Sequence, residues 1–381
     1  MHTIYLDHAA TTRVLPEAAQ AALRVMTEDY GNPSSLHHLG VRAAKEVADH
    51  RAEVAAALGC KADEVYFTSC GTEGDNWAIQ LAVHHGRHTG KHIITTAVEH
   101  SAVLEPCKAL ELQGYEVTYL HPDATGHIRL EALEEALRPD TVLVSMMLVN
   151  NETGFLQPVA DAARLLKRKK SNALLHCDAV QGFLKVPFTV KSLGADLIAI
   201  SGHKIGAPKG VGALYVSPRL HPMIPMIRGG GQEKAMRSGT EATPQIAAFA
   251  TACKLGHEAL RERVDYLSDL KAYTLDKLRA AVPGLVVVSE GDAPHILAIS
   301  LPGYPSQVVV RYLSDKGICL SSGSACHKGK ASHVYAAMNL SKAVRDGMLR
   351  VSLGPSNTRE EIDVLADALL SATRELVAAG R

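Results

Sequence analysis

The 381-residue sequence lacks several features that define whole classes of protein. Its 40 Lys and Arg residues balance 40 Asp and Glu residues, so no net charge attracts nucleic acid or an anionic membrane. No apolar run approaches the roughly 18 residues that a membrane span needs. The first residues have neither the basic nor the apolar stretch of a secretory signal. We therefore expect a protein that binds neither nucleic acid nor a membrane directly.

Disulfide, metal and nucleotide patterns are also missing. The seven cysteines are odd in number and include no CxxC pair, which indicates reduced thiols and a cytoplasmic location. His84, His85 and His88 lie at a predicted helix end, where exposed caps fit better than a closed zinc site. No GxGxxG follows the first strand, and residues 323–331 fail the phosphate-loop pattern. We expect no resident metal.

Short apolar runs alternate with helical segments over the first two-thirds of the chain. Such nearly continuous apolar strands are typical of a parallel sheet that helices cover on both faces. After about residue 255 the pattern changes to a long helix over 245–281, two strands and further helices. The sequence therefore predicts an α/β domain followed by a smaller α+β domain. The predicted strands of the first domain are 65–67, 92–95, 115–120, 141–149, 173–176, 197–200 and 212–216.

A turn of small residues follows the first of these strands and contains Gly71 and Thr72. Thr72 is predicted to open a helix. The free N–H groups of a helix N-terminus, together with a hydroxyl, make an anion site that suits phosphate. An ordinary threonine N-cap gives the same pattern, so this signal alone leaves both interpretations open.

Lys204 comes directly after another buried strand, in the run Ser201-Gly202-His203-Lys204. Parallel sheets place ligands at the carboxyl ends of their strands. Desolvation there favours the neutral amine, which can form an imine with an aldehyde cofactor. Ser201 and His203 alternate with the lysine and could bind a phosphate. A surface lysine at the start of a loop is the alternative.

Asp178 ends a third buried strand and needs a cation there. Pyridoxal phosphate (PLP) supplies one, because an acidic partner keeps its ring nitrogen protonated. Gln181 is then placed to hydrogen-bond the ring hydroxyl. The alternative for Asp178 is a helix cap. Three strand ends that suit one cofactor make PLP the predicted ligand.

Cys326 lies in a run of small residues and is followed at once by cations. Exposure in a loop and neighbouring positive charge favour the nucleophilic thiolate. Most other cysteines lie in apolar patterns and are expected to be small core residues. Cys319 is expected to be buried on a strand, and Cys70 lies in the phosphate turn itself.

These residues give the chain its resemblance to the PLP-dependent cysteine desulfurases of the NifS/IscS type, group I, of the class V aminotransferases. The resemblance covers nearly the whole length, and the serine-rich approach to Cys326 matches group I. The matching motifs, in family order, are 5–12 (YLDHAATT), 31–35 (GNPSS), 99–100 (EH), 149–154 (VNNETG), 178–181 (DAVQ), 201–204 (SGHK), 237–240 (RSGT), 322–326 (SGSAC) and 350–354 (RVSLG).

The resemblance implies a fold-type I PLP enzyme that forms a homodimer. Its mainly parallel sheet would have seven strands and lie in a large domain of residues 15–255. Residues 1–14 and 256–381 would form the small α+β domain that carries the Cys326 loop.

The resemblance also implies a role for each matching residue. Lys204 would hold PLP covalently as an internal aldimine, and Asp178 would pair with the ring nitrogen. His100 would stack on the ring and move protons. The other expected contacts are Gln181 with the ring hydroxyl; Gly71, Thr72, Ser201 and His203 with the phosphate, joined by Thr240 from the partner subunit; Asn151 with cofactor and substrate; and Arg350 with the substrate carboxylate.

The implied reaction converts L-cysteine to L-alanine and leaves a persulfide on Cys326. An acceptor protein would then take the sulfur for iron–sulfur cluster assembly or tRNA thiolation, and Cys326 could transiently ligate a cluster. Alternatives on the same scaffold are a selenocysteine lyase or another β-eliminating lyase. A sulfur-transfer scaffold that binds the cofactor but turns over poorly is a third possibility. A transaminase is disfavoured because it needs no cysteine on a loop.

The chain departs from the family pattern at two places. Residues 69–72 read Ser-Cys-Gly-Thr, where the family more often has Gly-Ala before the threonine. The loop after Cys326 lacks the Leu-Glu-Pro stretch of housekeeping members and carries Lys328 and Lys330 instead. This basic loop predicts an acceptor with an acidic surface.

Overall fold

The computed structural model describes residues 3–123, 125–323 and 332–378. Cys326, Lys328 and Lys330 lie outside the described residues. The strands are β1 (Ile4–Tyr5), β2 (Val65–Thr68), β3 (His92–Thr96), β4 (Glu116–Leu120), β5 (Thr141–Ser145), β6 (Leu174–Asp178), β7 (Leu197–Ser201), β8 (Gly212–Val216), β9 (Val286–Ser289), β10 (Ile296–Ser300), β11 (Ile318–Cys319) and β12 (Met348–Ser352). The helices are α1 (Pro16–Thr27), α2 (His38–Leu58), α3 (Gly71–Gly86), α4 (Ser101–Glu111), α5 (Leu130–Ala136), α6 (Val159–Arg168), α7 (Val190–Leu193), α8 (Thr243–Glu258), α9 (Leu260–Ala281), α10 (Ser306–Asp315), α11 (His333–Ala337), α12 (Lys342–Asp346) and α13 (Arg359–Glu375).

Seven strands form the central sheet in the order β2-β8-β7-β6-β5-β3-β4. Neighbouring strands run parallel except at β8, which is antiparallel to both β2 and β7. Every residue of β5, β6 and β7 is buried. The prediction of a mainly parallel sheet covered on both faces is confirmed.

The side chains of β7 divide the core between the two faces of the sheet. Leu197 and Ala199 belong to the hydrophobic cluster around α3. Ile198 and Ile200 belong to the cluster that includes α1, α2 and α8. This alternation follows from the two-residue period of a strand. Both faces of β7 are thus occupied by core residues, and the residues that follow its carboxyl end, including Lys204, line a cavity.

Two predicted elements differ from the observed ones. The helix expected over 245–281 is two helices, α8 and α9, which meet at Ala259. The break separates their packing, since α8 contacts α1 and α2 whereas α9 contacts α13. The strand expected over 141–149 ends at Ser145. Beyond it the backbone N–H groups of Met146 and Leu148 still donate to the carbonyls of His176 and Asp178 on β6, whereas the N–H of Met147 donates to the Glu99 side chain.

A second hydrophobic cluster lies around the two small sheets. It combines Ile4 and Leu6 with residues between Leu267 and Leu369. Strand β10 pairs antiparallel with β9 and β12, and β1 pairs parallel with β11. The division at residues 14/15 and 255/256 stays a prediction: Ala9 packs in the core around the central sheet, and the second boundary falls inside α8. In the described ranges, none of the helices combines the length and apolarity needed to cross a bilayer.

Candidate active site

A cavity of about 210 Å³ lies at the carboxyl ends of β6 and β7, beside the start of α3. It brings together most of the residues that the sequence predicted. Those that line it are Gly71, Thr72, His100, Asn151, Asp178, Gln181, Ser201, His203, Lys204 and Arg350. Thr240 does not line it, and Cys326 lies outside the described residues.

Lys204 is held at the cavity by the N-terminal segment, which we define as residues 5–12. Its Nζ donates to the carbonyl oxygens of Ala9 (2.6 Å) and Ala10 (2.9 Å). Thr12 adds a second contact, since its backbone N–H and its hydroxyl both donate to the carbonyl of His203. The N-terminal segment thus forms one wall of the cavity and fixes where the amine points.

Asp178 is buried at the end of β6, and its Oδ1 accepts from the backbone N–H of Val180 at 2.9 Å. Burial raises the pKa of this carboxyl, and the nearby charges of His100 and Lys204 oppose that rise. A cation at the cavity would favour the ionised form further. The environment therefore suits a carboxylate that pairs with a protonated ring nitrogen.

The side-chain amide of Gln181 has a fixed orientation. Its Nε2 donates to the carbonyl of Ala9 at 2.8 Å, and its Oε1 lies 3.5 Å from Lys185 Nζ. An amide nitrogen carries two hydrogens. The second hydrogen is available to a ring oxygen in the cavity.

A phosphate cradle is present where α3 begins. Ser201 Oγ is buried, and no described residue forms a hydrogen bond with it. A Cβ added at Gly71 would lie 2.6 Å from the Val180 side chain, so only glycine brings the α3 N-terminus this close. His203 contacts Thr11 Oγ1 at 3.2 Å. Burial, and then the charge of Lys204, lower its pKa to about 4, so His203 is a neutral hydrogen-bonding group.

His100 is the N-cap of α4. Its Nδ1 accepts from the backbone N–H of Ala102 at 3.1 Å. A neutral imidazole with an accepting Nδ1 carries its proton on Nε2. The fold therefore sets the tautomer of the histidine that lines the cavity.

Arg350 is buried on β12, with 1% of its surface exposed. Its Nη2 donates to Asp7 Oδ1 at 2.8 Å, and its Nη1 donates to the carbonyl of Asn151 at 2.7 Å. Each terminal nitrogen keeps a second hydrogen for a ligand. From its sequence context alone Arg350 reads as a surface residue of a strand, which is wrong because the N-terminal segment covers β12.

Thr240 is exposed and lies on a loop of residues 226–241, which we call the Thr240 loop. Two ion pairs anchor this loop. The buried Glu233 carboxylate accepts from both terminal nitrogens of Arg51 at 2.6 Å, and Arg237 Nε donates to Glu73 at 2.8 Å. The loop thus presents Thr240 outward, away from the cavity of its own chain.

Sequence reasoning missed several residues of the cavity wall, among them Ala9, Ala10 and Met147. Asp75 was also missed. It follows Thr72 by three residues on α3, so both lie on one face of that helix. Ala78, Ile79 and Ala82 share its face of α3 and are buried, so an acid among these apolar residues is the signal that could have identified it. Two cysteines expected to be buried, Cys60 and Cys319, are half-buried.

The donor set fits PLP. A lysine amine, a buried aspartate, a fixed amide and a phosphate cradle with an unsatisfied hydroxyl surround one cavity at the edge of a mainly parallel sheet. That arrangement is typical of a fold-type I enzyme that uses PLP.

Comparison with known proteins narrows this class. The aminotransferase class-V family matches residues 4–365. Cysteine desulfurase 2 of Trichormus variabilis is 42% identical over 367 residues, which are 95% of this chain and 91% of that protein. The chain belongs to the class V aminotransferases, among the NifS/IscS-like cysteine desulfurases.

Solved structures agree with this assignment. A NifS-like protein superposes with a TM-score of 0.93 at 36% identity, over 98% of this chain and 100% of that chain. SspA in complex with cysteine superposes with a TM-score of 0.79 at 32% identity, over 93% of this chain and 100% of that chain. The fold-type I prediction is therefore confirmed.

Proposed function

We propose that the protein is a PLP-dependent cysteine desulfurase that converts L-cysteine to L-alanine and keeps the sulfur as a persulfide on Cys326. The observation that carries the proposal is a single cavity with Lys204, Asp178 and Arg350 in its wall, in a chain of this family. PLP, when bound, supplies an electron sink for the bond changes at the substrate. The neighbour SspA, in complex with cysteine, supports the choice of substrate.

Lys204 is the proposed attachment point for the cofactor and the base that moves the substrate α-proton. Its Nζ hydrogen bonds to Ala9 and Ala10 keep the amine at the cavity. Asp178 would hold the ring nitrogen and Gln181 the ring hydroxyl, while Gly71, Thr72, Ser201 and His203 would hold the phosphate. His100 would deliver its Nε2 proton to the reacting side of the cavity.

Arg350 and Asn151 are the proposed substrate-carboxylate contacts. The free hydrogens on the two terminal nitrogens of Arg350 can form a bidentate pair with a carboxylate. Since Asp7 and the Asn151 carbonyl already hold the guanidinium, the fork is oriented before substrate arrives. Such pre-orientation lowers the entropic cost of binding.

Cys326 is the proposed nucleophile. As a thiolate it would attack the substrate sulfur, so that an S–S bond forms while the substrate Cβ–S bond breaks. The electron pair of the broken bond stays with Cβ, which takes up a proton to give alanine. The sulfur then passes from Cys326 to an acceptor thiol or protein.

The proposed assembly is a homodimer. The Thr240 loop presents Thr240 outward, as expected if that residue completes the phosphate site of a second copy. Large apolar side chains are exposed near the start of the chain, including Met26, Tyr30, Leu36 and Val41. We also propose a cytoplasmic location, because the described cysteines are free thiols.

Alanine production from L-cysteine tests the proposal. We expect the wild-type protein and the control Cys60→Ala to form alanine, and Cys326→Ala to form almost none. Equal alanine from the wild type and Cys326→Ala would instead indicate a direct lyase. Comparing L-selenocysteine with L-cysteine in the same assay separates a selenocysteine lyase, which would turn over the selenium substrate without Cys326.

A further inference from the structure

Three buried carboxyl groups lie close together at the cavity: Asp75 on α3, Glu99 before α4 and Asp178 on β6. Their residues are 1%, 0% and 5% exposed. Only Asp178 is assigned to the cofactor by the proposed function. Three carboxylates cannot all be ionised in one dry region without matching cations.

Asp75 forms one end of a buried polar chain. Its Oδ1 lies 3.3 Å from His176 Nε2, and both atoms are buried without a hydrogen-bond partner among the described residues. On the other side of the same ring, His176 Nδ1 lies 2.8 Å from Ser145 Oγ. His176 and Asp178 are two residues apart on β6, so both face α3. The chain Asp75–His176–Ser145 therefore runs directly behind the aspartate that is proposed to hold the ring nitrogen.

The imidazole of His176 is neutral. Its ring is fully buried, and burial lowers its pKa to about 3. A neutral imidazole has one donor nitrogen and one acceptor nitrogen. Two arrangements satisfy it: either Nδ1–H donates to Ser145 and Nε2 accepts from a protonated Asp75, or Nε2–H donates to an ionised Asp75.

The charges around Asp75 select between these arrangements. The titratable groups that face it are His176 and Asp178 on β6, Glu99 before α4 and Cys70 in the turn before α3. Burial, then Asp178, Glu99 and Cys70, all raise the pKa of Asp75. In the described part of the chain no lysine or arginine forms an ion pair with it. Asp178, in contrast, faces Lys204 and His100.

We propose that Asp75 is a protonated carboxylic acid at neutral pH, that it donates a hydrogen bond to His176 Nε2, and that this leaves Asp178 as the ionised carboxylate for the cofactor ring. Asp75 is thus a positioning residue that acts through His176 and through its lack of charge. The inference rests on the proposed PLP function, and it adds a residue that sets the charge of the ring-binding aspartate.

Glu99 supports the same charge distribution. Its Oε1 accepts from Thr96 Oγ1 and from the backbone N–H of Met147, both at 2.8 Å. Even so, burial raises its pKa to about 8. With Asp75 and Glu99 both neutral, the positive charges of the cavity act on Asp178 alone. Ionisation of Asp75 at alkaline pH would place a second negative charge behind the ring.

Two spectroscopic measurements on the cofactor-loaded protein test the proposal. Histidine-selective ¹⁵N NMR at neutral pH, assigned with His176→Gln, is expected to show the proton of His176 on Nδ1. Infrared spectroscopy is expected to show a protonated-carboxyl band that Asp75→Asn removes. The exposed variant Glu105→Gln should leave that band unchanged, and Glu99→Gln should remove only a separate component.

The alkaline titration of cofactor absorbance adds a functional readout. Asparagine is neutral and can still donate to His176, but it cannot ionise. Asp75→Asn should therefore lack the alkaline absorbance change that ionisation of Asp75 causes in the cofactor-loaded wild type. A His176 proton on Nε2, or an infrared band untouched by Asp75→Asn, would overturn the proposal.

The tautomer measurement needs no variant of Asp75, so it decides the question even if Asp75→Asn does not fold. Failure of the wild-type protein to bind PLP or to form alanine would refute the proposed function instead. The two failures are distinguishable because the His176 tautomer and the carboxyl band are read independently of turnover.

Discussion

The cavity has two walls of different origin. One is the sheet edge, formed by the carboxyl ends of β6 and β7 with the start of α3, where each group lies at or just after the end of a strand. The other joins the N-terminal segment to β12: Asp7 binds Arg350 across 343 positions of sequence, and Ala9 N–H donates to Ser352 Oγ across the same separation. The first wall depends on local strand–turn geometry and the second on long-range assembly, so the two should respond differently to mutation.

The largest effect is expected from Lys204→Ala at the sheet edge. Loss of the group that we propose both attaches the cofactor and moves a proton should lower alanine formation by about 10³-fold or more. The visible absorbance of bound PLP should change as well. Lys209→Ala, an exposed lysine five residues later, is the matched control. Near-normal turnover in Lys204→Ala would remove that residue from the proposed mechanism.

Arg350→Ala in the second wall should affect both stability and substrate binding. Removing the guanidinium leaves Asp7 without its ion-pair partner, and we expect a loss of about 3 kcal/mol in the free energy of unfolding. KM for L-cysteine should rise by about 10²-fold, because the proposed bidentate contact with the substrate carboxylate is lost. The double variant Arg350→Ala/Asp7→Asn should regain the lost unfolding free energy, whereas its KM should stay raised. Recovery of both would mean that Arg350 acts only through folding.

The N-terminal segment should also respond to acid. Burial, then the charge of Lys185, lower the pKa of His8 to about 4, whereas an unfolded histidine titrates near about 6.5. Between these values the unfolded chain binds a proton that the folded chain does not. The His8 contribution to the free energy of unfolding therefore falls as pH is lowered through this window, by up to about 1.4 kcal/mol per pH unit.

Urea unfolding at several pH values can measure this contribution as a difference. His8→Gln should show a shallower acid dependence than the wild type by that slope. The difference between the two proteins matters, because other buried groups titrate in the same range: the raised pKa of Glu99 acts in the opposite direction. Identical slopes in the two proteins would show that His8 is already charged in the folded state.

The smallest effect is expected from Ser352→Ala. Its Oγ accepts from Ala9 N–H at 2.9 Å and donates to the carbonyl of Leu6 at 3.3 Å. Deleting it leaves a buried N–H unpaired, which should cost about 1–2 kcal/mol of unfolding free energy. Ser300 lies on the neighbouring strand β10, and its hydroxyl donates one hydrogen bond to the carbonyl of Val344 on α12. Ser300→Ala should cost less.

The two walls also differ in how far the sequence predicts them. Lys204 and Asp178 were identified from their own surroundings, because a charged residue that ends a buried strand is unusual whatever the rest of the chain does. Arg350 has no such local signal. Its role depends on Asp7 covering β12, and only the family motif indicated it.

Contacts between residues distant in sequence also explain why the helix over 245–281 and the strand over 141–149 were predicted with the wrong bounds. Helical periodicity runs continuously through residues 245–281 and carries no sign that α8 and α9 pack on different cores. After the last β3–β5 pair, Ile94 with Val144, the Met147 N–H donates to Glu99, a residue distant in sequence. Asp75 could have been noticed as an acid on an apolar helix face. Its contact with His176 depends on how α3 packs on the sheet, which the local sequence does not show.

The pairing of β1 with β11 has a consequence for biosynthesis. A ribosome makes residues 4–5 first and residues 318–319 near the end, and the partners of Asp7 and Ala9 follow later still. Until then the segment that supplies the carbonyl groups for Lys204 lacks its partners on β11 and β12. During synthesis, therefore, this wall of the cavity is completed only after almost the whole protein has emerged.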